Sequence, residues 1–110
     1  MEKTTLFHLE SPDIKISIQI YFNENNQLFF DGYDIGSAVK ERFDDLDYEY
    51  THTIEQEEVK KFYPIFNVQH GDRAGLLAAI KKEFSVPNAY TLFGEFMKTH
   101  DIKYRSFIWR

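Results

Sequence analysis

The stretch Ile14-Lys15-Ile16-Ser17-Ile18-Gln19-Ile20-Tyr21-Phe22 decides the fold. Apolar residues stand at every second position, with Lys15, Ser17, Gln19 and Tyr21 between them. A period of two is that of a strand with one face buried and one wet. Before it, Ser11-Pro12-Asp13 is a turn: proline fixes one dihedral, and the aspartate can bond back to its own backbone. Residues 3–10 read as a first strand, with Leu6, His8 and Glu10 alternating with Phe7 and Leu9. After it, Asn23-Glu24-Asn25-Asn26 is a hairpin turn, because asparagine tolerates positive φ. Gln27-Leu28-Phe29-Phe30 returns as a third strand, so three antiparallel strands open the chain.

Further along, the two glycines and two aspartates of Asp31-Gly32-Tyr33-Asp34-Ile35-Gly36-Ser37 are expected to break the sheet. A short helix over Ala38–Phe43 should follow, capped by Asp34 or Ser37. Asp44-Asp45-Leu46-Asp47 is an acidic loop. Tyr48, Tyr50, His52 and Ile54 alternate with Glu49, Thr51 and Thr53, which gives a fourth strand over 48–54. From Glu55 the period lengthens. Val59, Phe62, Tyr63 and Phe66 form a helical stripe with acids in its first turn and Lys60 and Lys61 later, as the helix dipole prefers. Pro64 should end or kink this helix near Phe62–Tyr63. Asp72 caps another helix with Ala74, Leu77, Ile80 and Phe84 on one face, and Asn88 caps a last one over Ala89–Thr99, burying Phe93, Phe96 and Met97. Ile102, Tyr104, Ser106 and Ile108 alternate with Lys103, Arg105, Phe107 and Trp109 in a closing strand. The order βββ-α-β-ααα-β predicts an α+β fold: a mainly antiparallel sheet of about five strands with helices packed on one face.

The 110 residues fit a single domain, and a hydrophobic fraction of 43% with 28% charged residues is globular. Cysteine is absent, which excludes disulfides, thiolate metal sites and a cysteine nucleophile. Met1-Glu2-Lys3-Thr4 lacks a signal-peptide profile, and no apolar run reaches the roughly 18 residues of a membrane span. A soluble cytoplasmic protein without a membrane partner is expected. The net charge is −5, unevenly spread: residues 31–58 hold ten acids and two bases, whereas residues 60–110 hold nine bases and four acids. An acidic segment disfavours a nucleic-acid binder, which needs clustered Lys and Arg, and favours a basic partner. Aromatics make up 17% of the chain, and the surplus beyond a small core suits a binding face.

No motif names a reaction. Asp31-Gly32-Tyr33-Asp34 begins like a calcium loop but lacks the required pairing of glycine at the sixth position with glutamate at the twelfth. Gly32 and Gly36 lack the third glycine and the Lys-Ser/Thr ending of a phosphate cradle, and read instead as a strand-to-helix turn. Asp47-Tyr48-Glu49-Tyr50 with His52 is the densest polar-aromatic cluster, yet Glu49 and His52, three residues apart on a strand, should face opposite ways. His8, His52, His70 and His100 sit on four different elements without zinc-ligand spacing. No catalytic residue, metal or cofactor is assigned on this basis.

The stretch Phe30-Asp31-Gly32-Tyr33-Asp34-Ile35-Gly36, then Val39 to Phe43, then Asp47-Tyr48-Glu49-Tyr50, resembles a loose group of small bacterial proteins over roughly residues 27–66. In character the chain is similar to immunity proteins of polymorphic toxin and contact-dependent growth inhibition systems. The resemblance implies a cysteine-free, acidic, single-domain α+β inhibitor of one cognate toxin, and it carries no catalytic residue with it. A basic nuclease is the toxin class that the acidic segment would suit. Asp44, Asp45, Asp47, Glu49, Glu55 and Glu58 would steer association, and Tyr33 and Tyr48 would anchor the complex. The inhibitor would act as a monomer or weak homodimer. Two alternatives stand beside it. One is a small metal-dependent hydrolase using Asp31, Asp34, Glu49 or His52; the other is a ligand-binding or homo-oligomeric module pairing through the edge strand Phe107-Ile108-Trp109.

Overall fold

A computed structural model describes residues 3–36 and 47–109. Five strands form one antiparallel sheet in the order β1-β2-β3-β4-β5: Thr4–Glu10, Ile14–Phe22, Leu28–Gly36, Asp47–Ile54 and Arg105–Trp109. Among the described residues, the helices fall between β4 and β5: α1 (Gln56–Val59), α2 (Phe62–Ile65), α3 (Arg73–Phe84) and α4 (Ala89–Thr99). The architecture is α+β, as the period changes predict. The helix expected over Ala38–Phe43 and the acidic loop at Asp44-Asp45 lie outside the described residues. Among the described residues, no helix is long and apolar enough to cross a membrane.

The alternation in β2 sets the register of the whole sheet. Ile18 and Ile20 are fully buried on the helix side, and β3 answers them with Gly32 and Phe30. In the β2–β3 turn, Asn23 Oδ1 accepts from the backbone N–H groups of Asn25 and Gln27, and Asn26 takes φ 63°, as the asparagine-rich turn predicts. The third strand runs much further than Phe30. Asp31 to Gly36 do not break the sheet; they pair with Ile14–Gln19 on one side, and Asp31 to Ile35 pair with Asp47–Thr51 on the other. Tertiary pairing on both edges outweighs the turn preference of the glycines and aspartates.

The core is aromatic. Phe30 stacks on Phe93 of α4 with ring centroids 4.8 Å apart, Phe62 of α2 stacks on the same ring at 5.6 Å, and Phe84 of α3 meets it edge-on at 5.1 Å. With Val59 of α1 in the same core, the described helices close over one face of the sheet. The single helix expected from Glu55 is two one-turn helices, separated at Lys60 and Lys61, with Pro64 inside the second. In α3, Asp72 caps as expected, its side chain accepting from the Gly75 N–H at 3.0 Å, and Lys81 and Lys82 end the helix. The buried stripe runs through Leu76, Ile80 and Phe84, while Ala74 is exposed and Leu77 half-buried. In α4, Asn88 holds the N-cap position without a side-chain cap bond; Phe93 and Met97 are fully buried and Phe96 half-buried.

Candidate binding face

With the helices on one side, the alternate residues of β2, β3 and β4 present the opposite side of the sheet. Ser17 stands opposite Tyr33 and Gln19 opposite Asp31 across β2–β3; Tyr33 stands opposite Glu49 and Asp31 opposite Thr51 across β3–β4. These six residues line a cleft of about 210 Å³, bordered also by Lys3. Asp31 is anchored there: Tyr21 Oη donates to its Oδ2 at 2.6 Å. Burial, reinforced by that bond and by the Asp31 charge, pushes the Tyr21 hydroxyl up from its ordinary pKa. Tyr21 packs edge-on to Phe29 at 5.6 Å, and the Lys3 ammonium lies 4.7 Å from the Tyr21 ring centre. Phe107 of β5 sits beside Thr51 in register and is 65% exposed.

Of the residues expected to bind a partner, the structure brings Tyr33 and Glu49 together here. Tyr48 lies on the other side of the sheet, 5.4 Å from the Tyr50 ring, because it is one position from Glu49 in a strand. Asp47 begins β4 in register with Ile35, and Asp44 and Asp45 are outside the described residues. Glu55 and Glu58 stand at the opposite end of β4 with partners of their own. Glu55 accepts from Gln27 Nε2 at 2.9 Å and pairs with Arg105 at 2.7 Å. Glu58 pairs with Lys61 at 2.8 Å and accepts the Lys103 backbone N–H at 2.7 Å, and these bonds hold its carboxyl below the ordinary range. Glu57 meets Lys60 at 3.2 Å. The described acid side chains of the 31–58 segment thus scatter, with Asp31 and Glu49 in the cleft, Asp34 on the helix side, and Glu55, Glu57 and Glu58 paired with bases at the start of the helices, rather than gathering into one negative face.

Sequence reasoning missed Ser17, Gln19 and Thr51 as cleft residues. The polar positions of the Ile14–Phe22 alternation were their signal, but only the extension of β3 through Gly36 gives those positions a neighbour.

The residues of the hydrolase alternative do not converge. Asp31 and Glu49 occupy the open face, whereas Asp34 and His52 are on the helix side, where Asp34 accepts from Tyr50 Oη at 3.0 Å. His52 is 3% exposed and fully bonded: Nε2 lies 2.9 Å from the Tyr90 carbonyl and Nδ1 2.8 Å from Ser106 Oγ. A carbonyl only accepts, so Nε2 carries the proton and Nδ1 accepts from the serine. The ring stacks on Tyr90 at 3.9 Å. Burial, opposed by the Tyr90 bond and aided by the Lys98 charge, lowers the His52 pKa and keeps the ring neutral. This is a satisfied core histidine on a tyrosine-rich inner face. Among the described residues, no group of three or more His, Cys, Asp or Glu is placed to hold a metal ion. No family model, curated protein or solved structure matches the chain.

Proposed function

We propose that the chain is a non-enzymatic binding protein that neutralises a cognate cationic toxin, a basic nuclease being the class that fits best, by covering its substrate-binding surface in the cytoplasm. The observation that carries this reading is the juxtaposition of Asp31, Tyr33 and Glu49 on the sheet face away from the described helices. Carboxylates beside an aromatic ring are what a basic protein surface meets most favourably: the charges steer encounter and the ring anchors the complex. Asp44 and Asp45, outside the described residues, stay candidates for steering by charge alone. Glu55 and Glu58, already paired with bases of the same chain, contribute less.

The test is protection. Candidate toxin domains, taken from secreted proteins whose genes are found next to this chain's gene, are expressed in cells with and without the chain. Survival only in its presence supports the reading, and loss of protection by Tyr33→Ala together with Glu49→Gln places the contact on this face. Equal killing in both cultures overturns it.

A further inference from the structure

The cleft on the open face is small and rich in hydrogen-bond acceptors. At about 210 Å³ it falls below the roughly 300–1,000 Å³ of pockets that enclose drug-sized ligands. Its lining carries two carboxylates, one amide, the hydroxyls of Ser17 and Thr51 and the phenols of Tyr33 and Tyr50, with the Lys3 ammonium at the rim. Asp31 and Glu49 are diagonal neighbours on antiparallel strands, a separation of roughly 7–8 Å between backbones that leaves a planar group room between their side chains. The Tyr21 bond fixes the Asp31 carboxylate through Oδ2 and leaves Oδ1 without a hydrogen-bond partner among the described residues. Glu49 has no ion pair among those residues.

A second observation is independent of the acids. Ser17 is only 8% exposed, yet its hydroxyl has no hydrogen-bond partner among the described residues, and the residue lines the cleft. The hydroxyl is not sealed away from the cleft, so a group arriving there could bond it directly. The chain's own Lys3 ammonium, held over Tyr21 at the rim, illustrates what this face attracts.

We infer that this cleft is a socket for a guanidinium group, an arginine side chain of the protein partner. A guanidinium offers five N–H donors in a planar fork and stacks on aromatic faces, whereas an ammonium offers three donors on a point charge. Two carboxylates on separate strands, the Ser17 hydroxyl and the Tyr33 ring match the first set. The identity of the donor as a toxin arginine rests on the function proposed above; the socket itself does not.

Titration of the isotope-labelled full chain with L-argininamide, followed by the shifts of its backbone amide resonances, tests it. Saturable shifts confined to β2, β3 and β4 around Ser17, Asp31, Tyr33 and Glu49 are expected. Citrullinamide, the neutral isostere, should produce none. Glu49→Gln, on an exposed side chain that the fold does not need, should weaken argininamide binding about fivefold, and Asp31→Asn should weaken it in the same direction. Scattered shifts, equal binding of citrullinamide, or unchanged affinity in Glu49→Gln would overturn the socket, and tighter binding of lysinamide would overturn the guanidinium assignment. Argininamide binding without cellular protection would sink the toxin reading alone; protection without argininamide binding would sink the socket alone.

Discussion

Gly32 shows how one residue can carry opposite meanings in sequence and in space. Beside Asp31 and Gly36 it reads as a turn, yet it sits mid-strand with an unremarkable backbone, and its missing side chain is filled by a ring. A Cβ there would lie 2.1 Å from Tyr50 Cε2. Gly36 is the position that needs glycine for its dihedral, at φ 138°, where a Cβ would also meet the Asp13 carbonyl. Gly32→Ala must displace the Tyr50 ring from Asp34 and Tyr90, so it should cost about 1–3 kcal/mol in denaturant unfolding. His52 was more legible, because the alternation of Tyr48, Tyr50, His52 and Ile54 already put it on an inner face; its two bonds were not, since Ser106 and Tyr90 are distant in sequence. Its pKa is lowered in the folded chain, so below about 6.5 the unfolded chain binds the extra proton. The stability it contributes is therefore complete above that pH and is lost as pH falls toward the folded value. Calorimetry should show a lower thermal midpoint at pH 5 than at pH 7.5, and His52→Gln should flatten that slope relative to the parent chain.

Elements were read correctly where one force dominates. The Ile14–Phe22 alternation and the Ala89–Thr99 helix match the observed bounds because period and burial agree. Elements were misread where local preference and long-range pairing disagree. Asp31–Gly36 has turn chemistry but is held as strand by β2 and β4, and the stripe from Val59 to Phe66 survives although the helix breaks at Lys60–Lys61. The cleft was hidden for the same reason, since a strand ending at Phe30 would have no Tyr33 opposite Glu49. Capping is local and was legible. Asp72→Ala removes the acceptor for the Gly75 N–H and should destabilise the chain by about 1 kcal/mol, seen as a lower urea midpoint with unchanged slope. The two sheet edges also differ. β1 carries a bulge between Thr5 and Phe7 and ends in Glu10, devices that discourage pairing, whereas β5 presents Phe107 and Ile108, 65% and 51% exposed.

Across the whole molecule, the charge asymmetry of the sequence is partly spent inside it: bases of the later half meet Glu55, Glu57 and Glu58 at short range. What remains for a partner is the net −5 and the carboxylates of the open face. On the function proposed above, association with a cationic toxin should be fastest at low ionic strength and slow as salt rises, with Glu49→Gln reducing the rate at low salt and converging on the parent rate at high salt. Stopped-flow measurements across a salt series would check it; a flat profile would assign binding to apolar contacts. Connectivity adds a last consequence. β1–β2 and β2–β3 are joined by short turns, whereas β5 returns to β4 only after the described helices that lie between them. Early hairpins close small loops at little entropic expense, while the final pairing waits on a long excursion. The seam between β4 and β5 is thus the natural place for the native state to open first, and Ser106, which completes the bonding of His52, lies on the side that would part.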